Sequence, residues 1–155
     1  MGVLYFLPIT ALVLTVVAFF VLGRGGFIPF GRWQKVLRVV VALPLFVSGV
    51  GHFVRTEMFA SIIPPFFPLR EFLVILTGVF ELAGAVGLLL SRSTRMASAC
   101  LCILMIAVFP ANIYVANQAV GGLHMPSVDV RTVLQALYIL LLLASGWGIP
   151  GRHHS

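Results

Sequence analysis

The sequence is short of charge. Only 9% of its 155 residues are Asp, Glu, Lys or Arg, whereas 61% are hydrophobic. An average soluble domain carries about 25% charged residues, and a soluble chain of this length cannot bury so much apolar surface away from water. The scarcity of charge therefore excludes an ordinary soluble domain. Lipid is the natural solvent for the excess apolar surface.

Acidic residues are scarcer still, with four Asp and Glu against ten Lys and Arg, for a formal charge of +6. A strongly basic chain can indicate a nucleic-acid-binding protein. Here the basic residues are spread between apolar runs and form no patch or stripe, which is typical of the loops that flank membrane spans. We therefore expect the lipid bilayer, and no nucleic acid, as a partner.

Cysteine and histidine are also few. Cys100 and Cys102 stand in one apolar run. Two residues apart on a helix, they point about 200° away from each other, so they are poorly placed for a disulfide. The run offers too few other ligands for a metal ion, and we predict no metal site. A haem-type pair of histidines across helices is not visible either, since His124 falls in a predicted loop and His153 and His154 in the tail, which argues against a cytochrome.

Long apolar runs are what the sequence has in abundance. Five runs stand out, each near the roughly 20 residues that an α-helix needs to cross the hydrocarbon of a bilayer. They do not alternate in polarity and are too long for barrel strands. Because the connections are short, neighbouring spans must be antiparallel. The sequence predicts an all-α, polytopic transmembrane helix bundle with five spans, at residues 3–22, 36–54, 72–90, 97–117 and 132–147.

The distribution of basic residues predicts the orientation of these spans. The first run has no basic segment before it and no clean cleavage site after it, so we expect a retained span and not a cleaved signal. The richer side of the membrane should be cytoplasmic, which places the N-terminus outside and the C-terminus inside, in the plasma (inner) membrane. One side holds Arg24, Arg32, Lys35, Arg38, Arg92, Arg95 and Arg152, and the other holds Arg55, Arg70 and Arg131.

A few polar side chains fall inside the apolar runs, and such residues usually face the bundle interior. Glu81 lies near the bilayer centre, where a carboxyl group must be protonated, paired or in a wet cavity. Pro110 should kink the fourth helix and free a backbone carbonyl. Depths counted at about 1.5 Å per residue predict a shallow pocket open to the outside, with Glu81 as its floor. The candidate pocket residues are Glu81, His52, Asn112, Ser48, Tyr114, Gln135 and Tyr138.

A purely structural role stays open for several of these residues. Buried Asn, Gln and His often only link one helix to the next by hydrogen bonds, and this holds for Asn112, Gln135 and His52. For Glu81 we favour a functional role, because Gln would link helices equally well without the ionisation penalty. A direct contact between His52 and Glu81 is allowed by the helix boundaries but not required. The proline-rich segment 62–69 is expected to cap the outer face of the bundle, as a lid or as a plain interfacial anchor.

Five stretches within residues 38–145 form a recognisable pattern. They read GHFVRTEMFASIIPPFFP, TGVFELAGAVGLLL, SRSTR, VFPANIYVA and VRTVLQ. In order and spacing they resemble the DoxX-like family of small integral membrane proteins. The strongest parts are His52-Phe53, Pro64-Pro65, Gly78 with Glu81, and Phe109-Pro110-Ala111-Asn112.

This resemblance implies a four-helix core. Residues 36–148 are then a DoxX-like membrane domain, residues 1–35 an extra N-terminal transmembrane helix with a basic loop, and residues 149–155 a cytoplasmic tail. Relatives in that family are linked to thiosulfate:quinone oxidoreduction, to redox stress or to the assembly of membrane proteins. The resemblance carries no settled catalytic motif, so the matching residues are fold markers and pocket candidates.

Three functions are compatible with these observations. The first is a non-haem membrane subunit or anchor for quinone- or lipid-linked redox chemistry, with a membrane or peripheral redox partner and no enzyme activity of its own. No cofactor is assigned, although a quinone fits this function. The second is a stand-alone lipid-modifying enzyme in which Glu81 and His52 form an acid/base pair. The third is an assembly or interaction factor, which predicts no pocket.

Overall fold

The structure, a computed structural model, describes residues 30–120 and 123–147, with side chains from residue 34 onward except that of Leu123. The predicted span at 3–22, almost all of the predicted N-terminal unit and the tail at 149–155 lie outside the described residues. The described residues cover nearly all of the predicted four-helix core and its connections.

Four long helices form this part of the chain. Each is long and apolar enough to cross a membrane, which confirms an all-α helical bundle and indicates that the protein is integral to a membrane. A short helix, α2 (Thr56–Ser61), follows the first long helix, and a two-residue antiparallel ladder joins β1 (Ala119–Val120) to β2 (Leu123–His124). The long helices are α1 (Phe30–Val54), α3 (Arg70–Leu89), α4 (Thr94–Tyr114) and α5 (Val128–Trp147).

The helices begin earlier than the apolar runs do. The second run was predicted from residue 36, but α1 begins at Phe30; the fifth was predicted from residue 132, but α5 begins at Val128. The first two turns of these helices carry charged residues, such as Lys35 and Asp129, which belong outside the hydrocarbon. A helix extends into the interfacial region, where its ends can be solvated, so hydropathy locates the membrane boundary and not the helix boundary.

The four long helices pack in a ring with successive helices antiparallel. Helix α1 packs against α3 and α5, and α4 packs against the other faces of α3 and α5. Buried leucines and valines fill the centre, whereas many large apolar side chains point outward, as expected for helices surrounded by lipid. The most completely buried apolar side chains are Leu37, Leu88, Leu101, Leu142, Val41 and Val115.

The antiparallel arrangement gives the bundle two different ends. We call the end where α1 and α4 finish and α3 and α5 begin the cavity end. All acidic residues other than Glu81 lie there, namely Glu57, Glu71 and Asp129. We call the opposite end the basic end, because the charged residues that the structure describes there are all basic: Arg32, Lys35, Arg38, Arg92 and Arg95.

Glycines set how closely α3 approaches its neighbours. A Cβ atom at Gly78 would lie 2.8 Å from the Cβ of His52 and 3.2 Å from the carbonyl oxygen of Gly49. Towards the basic end, a Cβ atom at Gly87 would lie 2.8 Å from the Cβ of Ala97. Because real Cβ atoms do not come so close, only glycine allows these helix approaches. The approach at Gly78 brings the side chains of α1 and α3 together one turn before Glu81.

Candidate functional site

Glu81 and His52 meet across the α1–α3 interface. The Nδ1 atom of His52 lies 3.5 Å from the Oε2 atom of Glu81, and both side chains are largely buried. The same Nδ1 atom lies 2.9 Å from the backbone carbonyl oxygen of Ser48. Since a carbonyl oxygen only accepts, Nδ1 must carry the proton. The imidazole ring also stacks on the ring of Phe59, with centroids 4.3 Å apart, so its orientation is fixed on two sides.

The carboxyl group of Glu81 is incompletely satisfied. The residue is 7% exposed, and its Oε2 atom has no hydrogen-bond partner. The Ser48 side chain is a hydrogen-bond partner of the carboxyl group, so one donor is supplied by α1. Buried polar atoms without a partner are rare because each forfeits its hydration. An orphaned carboxyl oxygen in the middle of a membrane helix is therefore the most unusual polar atom of the described bundle.

Two cavities open beside this carboxyl group. The central cavity, of about 240 Å³, lies among α1, α3, α4 and α5, and reaches Leu45 and Tyr138. The loop-side cavity, of about 420 Å³, reaches His52 and the connection after α2. Ligand pockets commonly measure about 300–1,000 Å³ and combine apolar walls with a few polar groups. Both cavities are lined by the same five residues: Ser48, Glu81, Met105, Asn112 and Arg131.

The connection between α2 and α3 covers the loop-side cavity. Ile62, Ile63, Pro64 and Phe67 contribute to its wall, and Phe66 beside them is 77% exposed. Prolines prevent a regular helix here, and the apolar side chains face both the cavity and the surroundings. Residues of the segment 62–69 thus cover the loop-side cavity, and the position of this segment at the membrane interface stays a prediction.

A chain of hydrogen bonds joins α4 and α5 at the mouth of the cavities. The Nη2 atom of Arg131 donates to the Oδ1 atom of Asn112 at 2.7 Å, and the Nε atom of Arg131 donates to the backbone oxygen of Asn112 at 3.0 Å. The side-chain amide of Asn112 donates to the Oε1 atom of Gln135 at 2.6 Å. The amide of Gln135 in turn donates to the backbone oxygen of Met105 at 2.7 Å. Asn112 and Gln135 thus link α4 and α5 by hydrogen bonds. This is the structural role that the sequence analysis left open for them.

Both proline-containing helices are contacted by polar side chains of α5. Pro110 lies inside α4 and Pro44 inside α1. A proline removes one backbone hydrogen bond and crowds the carbonyl one turn earlier. Gln135 binds a carbonyl shortly before Pro110, at Met105, and the hydroxyl of Tyr138 donates to the oxygen of Val41, shortly before Pro44, at 2.6 Å. Helix α5 therefore binds the carbonyls next to those of Ile106 and Val40, which lose their N–H partner to the prolines.

The structure brings six of the seven predicted pocket residues together. Glu81, Ser48 and Asn112 line both cavities, His52 lines the loop-side cavity, and Gln135 and Tyr138 line the central one. Tyr114 is the exception, because it stands at the end of α4, is 38% exposed and lines neither cavity.

Arg131 is the charged cavity-lining residue that sequence reasoning left out of the pocket. It was assigned to the charged flank of a span, where basic residues are common. The available signal was its spacing: Arg131 lies four residues before Gln135, on the same face of α5. Among the residues described, His, Cys, Asp and Glu never gather in a group of three that could hold a metal ion.

Comparison with known proteins gives one family and no named relative. No curated protein and no solved structure matches the sequence significantly. Residues 41–145 match a family described as a domain of unknown function, DUF8561. The match covers α3, α4 and most of α1 and α5. It includes the five residues that line both cavities. The chain belongs to this family, the domain of unknown function DUF8561.

Proposed function

We propose that the protein binds a quinone or a similar lipid-soluble redox molecule inside the membrane, as a non-haem subunit or anchor that works with a redox partner. The observation that carries the proposal is the buried carboxyl group of Glu81, with an unpartnered oxygen, at the junction of two cavities. A quinone head group combines an apolar ring with oxygen atoms that need polar contacts. The cavities offer apolar walls together with Glu81, Ser48 and Arg131.

In this proposal the protein is a DoxX-like membrane protein of the plasma membrane. It has five spans, with residues 3–22 as the first, an outside N-terminus and a cytoplasmic C-terminus. The basic end then faces the cytoplasm, in agreement with the positive-inside tendency. The cavity end faces outward, and a ligand dissolved in the outer half of the bilayer reaches the site past the segment 62–69.

Ligand binding by the purified full-length protein tests this proposal. In nanodiscs, a short-chain quinone such as decylubiquinone should raise the unfolding temperature of the wild type, and native mass spectrometry should detect the bound molecule. Ser48→Leu fills the place where both cavities meet and should abolish both signals. Val47→Leu is the matched control, because Val47 is the neighbouring residue but is 51% exposed on the outer surface. The proposal is wrong if neither benzoquinone nor naphthoquinone analogues bind the wild type.

A second candidate function is supported by the Glu81–His52 contact. General acid/base catalysis needs two groups that reach a common substrate atom. The two side chains are 3.5 Å apart and both line the loop-side cavity, as a lipid-modifying enzyme would require. Incubation in nanodiscs of defined lipids, followed by mass spectrometry of the lipids, would reveal a product. A product formed by wild type and not by His52→Gln would favour this function over binding alone.

The role of an assembly or interaction factor is less well supported. It requires neither cavities nor a buried carboxyl oxygen that lacks a donor. The test compares cells that carry Glu81→Gln with wild-type cells and with a deletion strain. If the Glu81→Gln cells showed none of the defects of the deletion strain, this third function would be favoured over the other two.

A further inference from the structure

The hydrogen-bond donors around Glu81 are already committed. The Nδ1–H of His52 is directed at the carbonyl oxygen of Ser48, and the hydroxyl of Tyr138 donates to the carbonyl oxygen of Val41. The Ser48 side chain forms a hydrogen bond with the carboxyl group of Glu81, yet the Oε2 atom of Glu81 has no hydrogen-bond partner. When the carboxyl group of Glu81 is ionised, a ligand that completes the site brings its own donor to this atom.

Arg131 presents the opposite need at the mouth of the same cavities. Its guanidinium group has five N–H donors, and the contacts to Asn112 and a weak one to the Sδ atom of Met125 use three. In the described part of the chain, no carboxylate lies within salt-bridge distance of Arg131. Arg131 is partly buried at the mouth of the cavities, where a ligand oxygen would receive a hydrogen bond from a charged donor. Arg131 is thus able to donate to an oxygen atom of a ligand.

The two groups address one shared space. Glu81 and Arg131 each line both cavities. Glu81 lies eleven residues after the start of α3 at Arg70, and Arg131 lies three residues after the start of α5 at Val128. At about 1.5 Å per residue their Cα atoms differ in depth by about 12 Å, and the long Arg131 side chain covers part of that distance. The Glu81 carboxyl group is an acceptor deep in the bundle, and the Arg131 guanidinium group is a donor nearer the surface. Together they define the orientation in which a ligand would bind along the cavity.

We infer that the site selects a two-ended ligand, a compact apolar ring with a hydroxyl group that donates to Glu81 and, at its other end, a carbonyl oxygen that accepts from Arg131. This inference rests on the proposed function and narrows it. The hydroxyl end enters first, and the end bearing the hydrocarbon tail remains at the mouth, towards lipid. A simple fatty tail would leave the carboxyl group against hydrocarbon, so it is a poorer ligand than a ring that carries a hydroxyl group.

Three matched probes test the two contacts separately. Octyl 4-hydroxybenzoate has a hydroxyl at one end and a carbonyl at the other. Octyl 4-methoxybenzoate lacks the donating hydrogen, and 4-octylphenol lacks the carbonyl. Dissociation constants would be measured with the full-length protein in nanodiscs of zwitterionic lipid, next to decylubiquinone. The hydroxybenzoate should bind wild type at least about tenfold more tightly than either analogue, since one hydrogen bond to a charged group is worth that much.

Variants should remove one preference at a time. In Glu81→Leu the ratio of the dissociation constants of the methoxy and hydroxyl probes should fall to about one. The tighter binding of the probe with a carbonyl over 4-octylphenol should persist. In Arg131→Met the preference for the carbonyl should fall to about one, while the preference for hydroxyl over methoxy persists. Arg70→Met is the control, because Arg70 is exposed at the same end and lines neither cavity; both preferences should remain. Thermal unfolding of each variant identifies any that does not fold, and Glu81→Leu alone still decides the hydroxyl contact.

The outcomes separate the inference from the proposed function. If decylubiquinone binds but the three probes bind equally, or if their preferences survive in Glu81→Leu, the two-ended ligand is wrong and the proposed function stands. If neither decylubiquinone nor any probe binds the wild type, the proposed function fails and the inference fails with it. Loss of one preference in each variant supports both.

Discussion

The basic end and the cavity end of the bundle use the same four helices in different ways. At the basic end, small residues bring the helices into close contact, and hydroxyl groups donate to nearby carbonyls: Ser98 donates to the oxygen of Leu142 at 2.6 Å, and Thr94 donates to the oxygen of Leu90 at 2.9 Å. At the cavity end, Pro44 and Pro110 interrupt the hydrogen-bond ladders of two helices, and two cavities remain between them.

This difference separates stability from function within one small bundle. Close packing without orphaned polar atoms stabilises the basic end. The cavity end forgoes that stabilisation, keeps a buried carboxyl oxygen without a donor and gains space for a ligand. Functional sites commonly contain such locally unfavourable features. The comparison predicts that added side-chain volume will destabilise the basic end, whereas replacing the orphaned carboxyl group will stabilise the cavity end.

The largest contrast should come from two glycine-to-alanine substitutions. Gly87→Ala at the basic end places a Cβ atom 2.8 Å from the Cβ of Ala97, which cannot turn away, so we expect a loss of about 1–3 kcal/mol of stability. Gly51→Ala at the cavity end finds only Phe59, at 3.6 Å, and should gain up to about 1 kcal/mol from helix propensity. Unfolding in mild detergent measures both. Equal effects of the two substitutions would contradict the contrast in packing.

Replacing the orphaned carboxyl group should stabilise the protein. Glu81→Leu exchanges a buried, incompletely bonded polar group for an apolar side chain of similar size, and the desolvation penalty that it removes is about 1–3 kcal/mol. The same variant should no longer prefer a hydroxylated ligand. Glu71→Leu is the control, because Glu71 is exposed at the cavity end and should change stability by less than about 0.5 kcal/mol. A destabilised Glu81→Leu variant would mean that the carboxyl group makes a stabilising contact in the folded protein.

Breaking the chain of hydrogen bonds at the cavity mouth should have an intermediate effect. Asn112→Ala removes the link between Arg131 and Gln135 and should cost about 0.6–1.7 kcal/mol, the range of interhelical hydrogen bonds in membranes. Combined with Gln135→Ala, the loss should be less than additive, because both act on one chain. Ser98→Ala, at the other end, should add independently to Asn112→Ala. Double-mutant cycles from unfolding measurements distinguish these cases. Additive losses for Asn112→Ala and Gln135→Ala would contradict a continuous chain of hydrogen bonds.

The smallest effect is expected at the start of α3. Leu69 precedes this helix with φ of 52°, in the left-handed region, which costs a residue with a Cβ atom about 1–2 kcal/mol. Leu69→Gly should therefore stabilise the protein slightly, by less than about 1 kcal/mol after the greater chain entropy of glycine. Asn117 also has a positive φ, of 62°, but asparagine tolerates it, so Asn117→Gly should change the unfolding temperature little. A loss of stability in Leu69→Gly would show that its exposed side chain contributes contacts.

The helices of the described core could be predicted because the apolar runs are long and separated by clear turns. Their starts could not, since the first two turns of α1 and α5 carry charged residues such as Lys35 and Asp129 outside the hydrocarbon. The predicted span at residues 3–22 stays a prediction.

The site was predictable where helical spacing alone places a residue inward, as for Ser48, His52 and Glu81. The contact between His52 and Glu81 was not, because it depends on how closely Gly78 lets α1 and α3 approach, which is a property of the packed pair. Arg131 was missed because the same residue type at the same depth ordinarily marks a membrane surface. Its cavity-lining position requires knowing which face α5 turns towards α4.

The bonds that α5 makes beside both prolines have a mechanical consequence. Gln135 holds α4 through the carbonyl of Met105, and Tyr138, almost one turn further along α5, holds α1 through the carbonyl of Val41. A displacement of α5 along its axis is therefore transmitted to both opposing walls of the central cavity at once. The width of that cavity is set by three helices moving together, so neither wall can open alone without breaking a hydrogen bond that the lipid cannot replace.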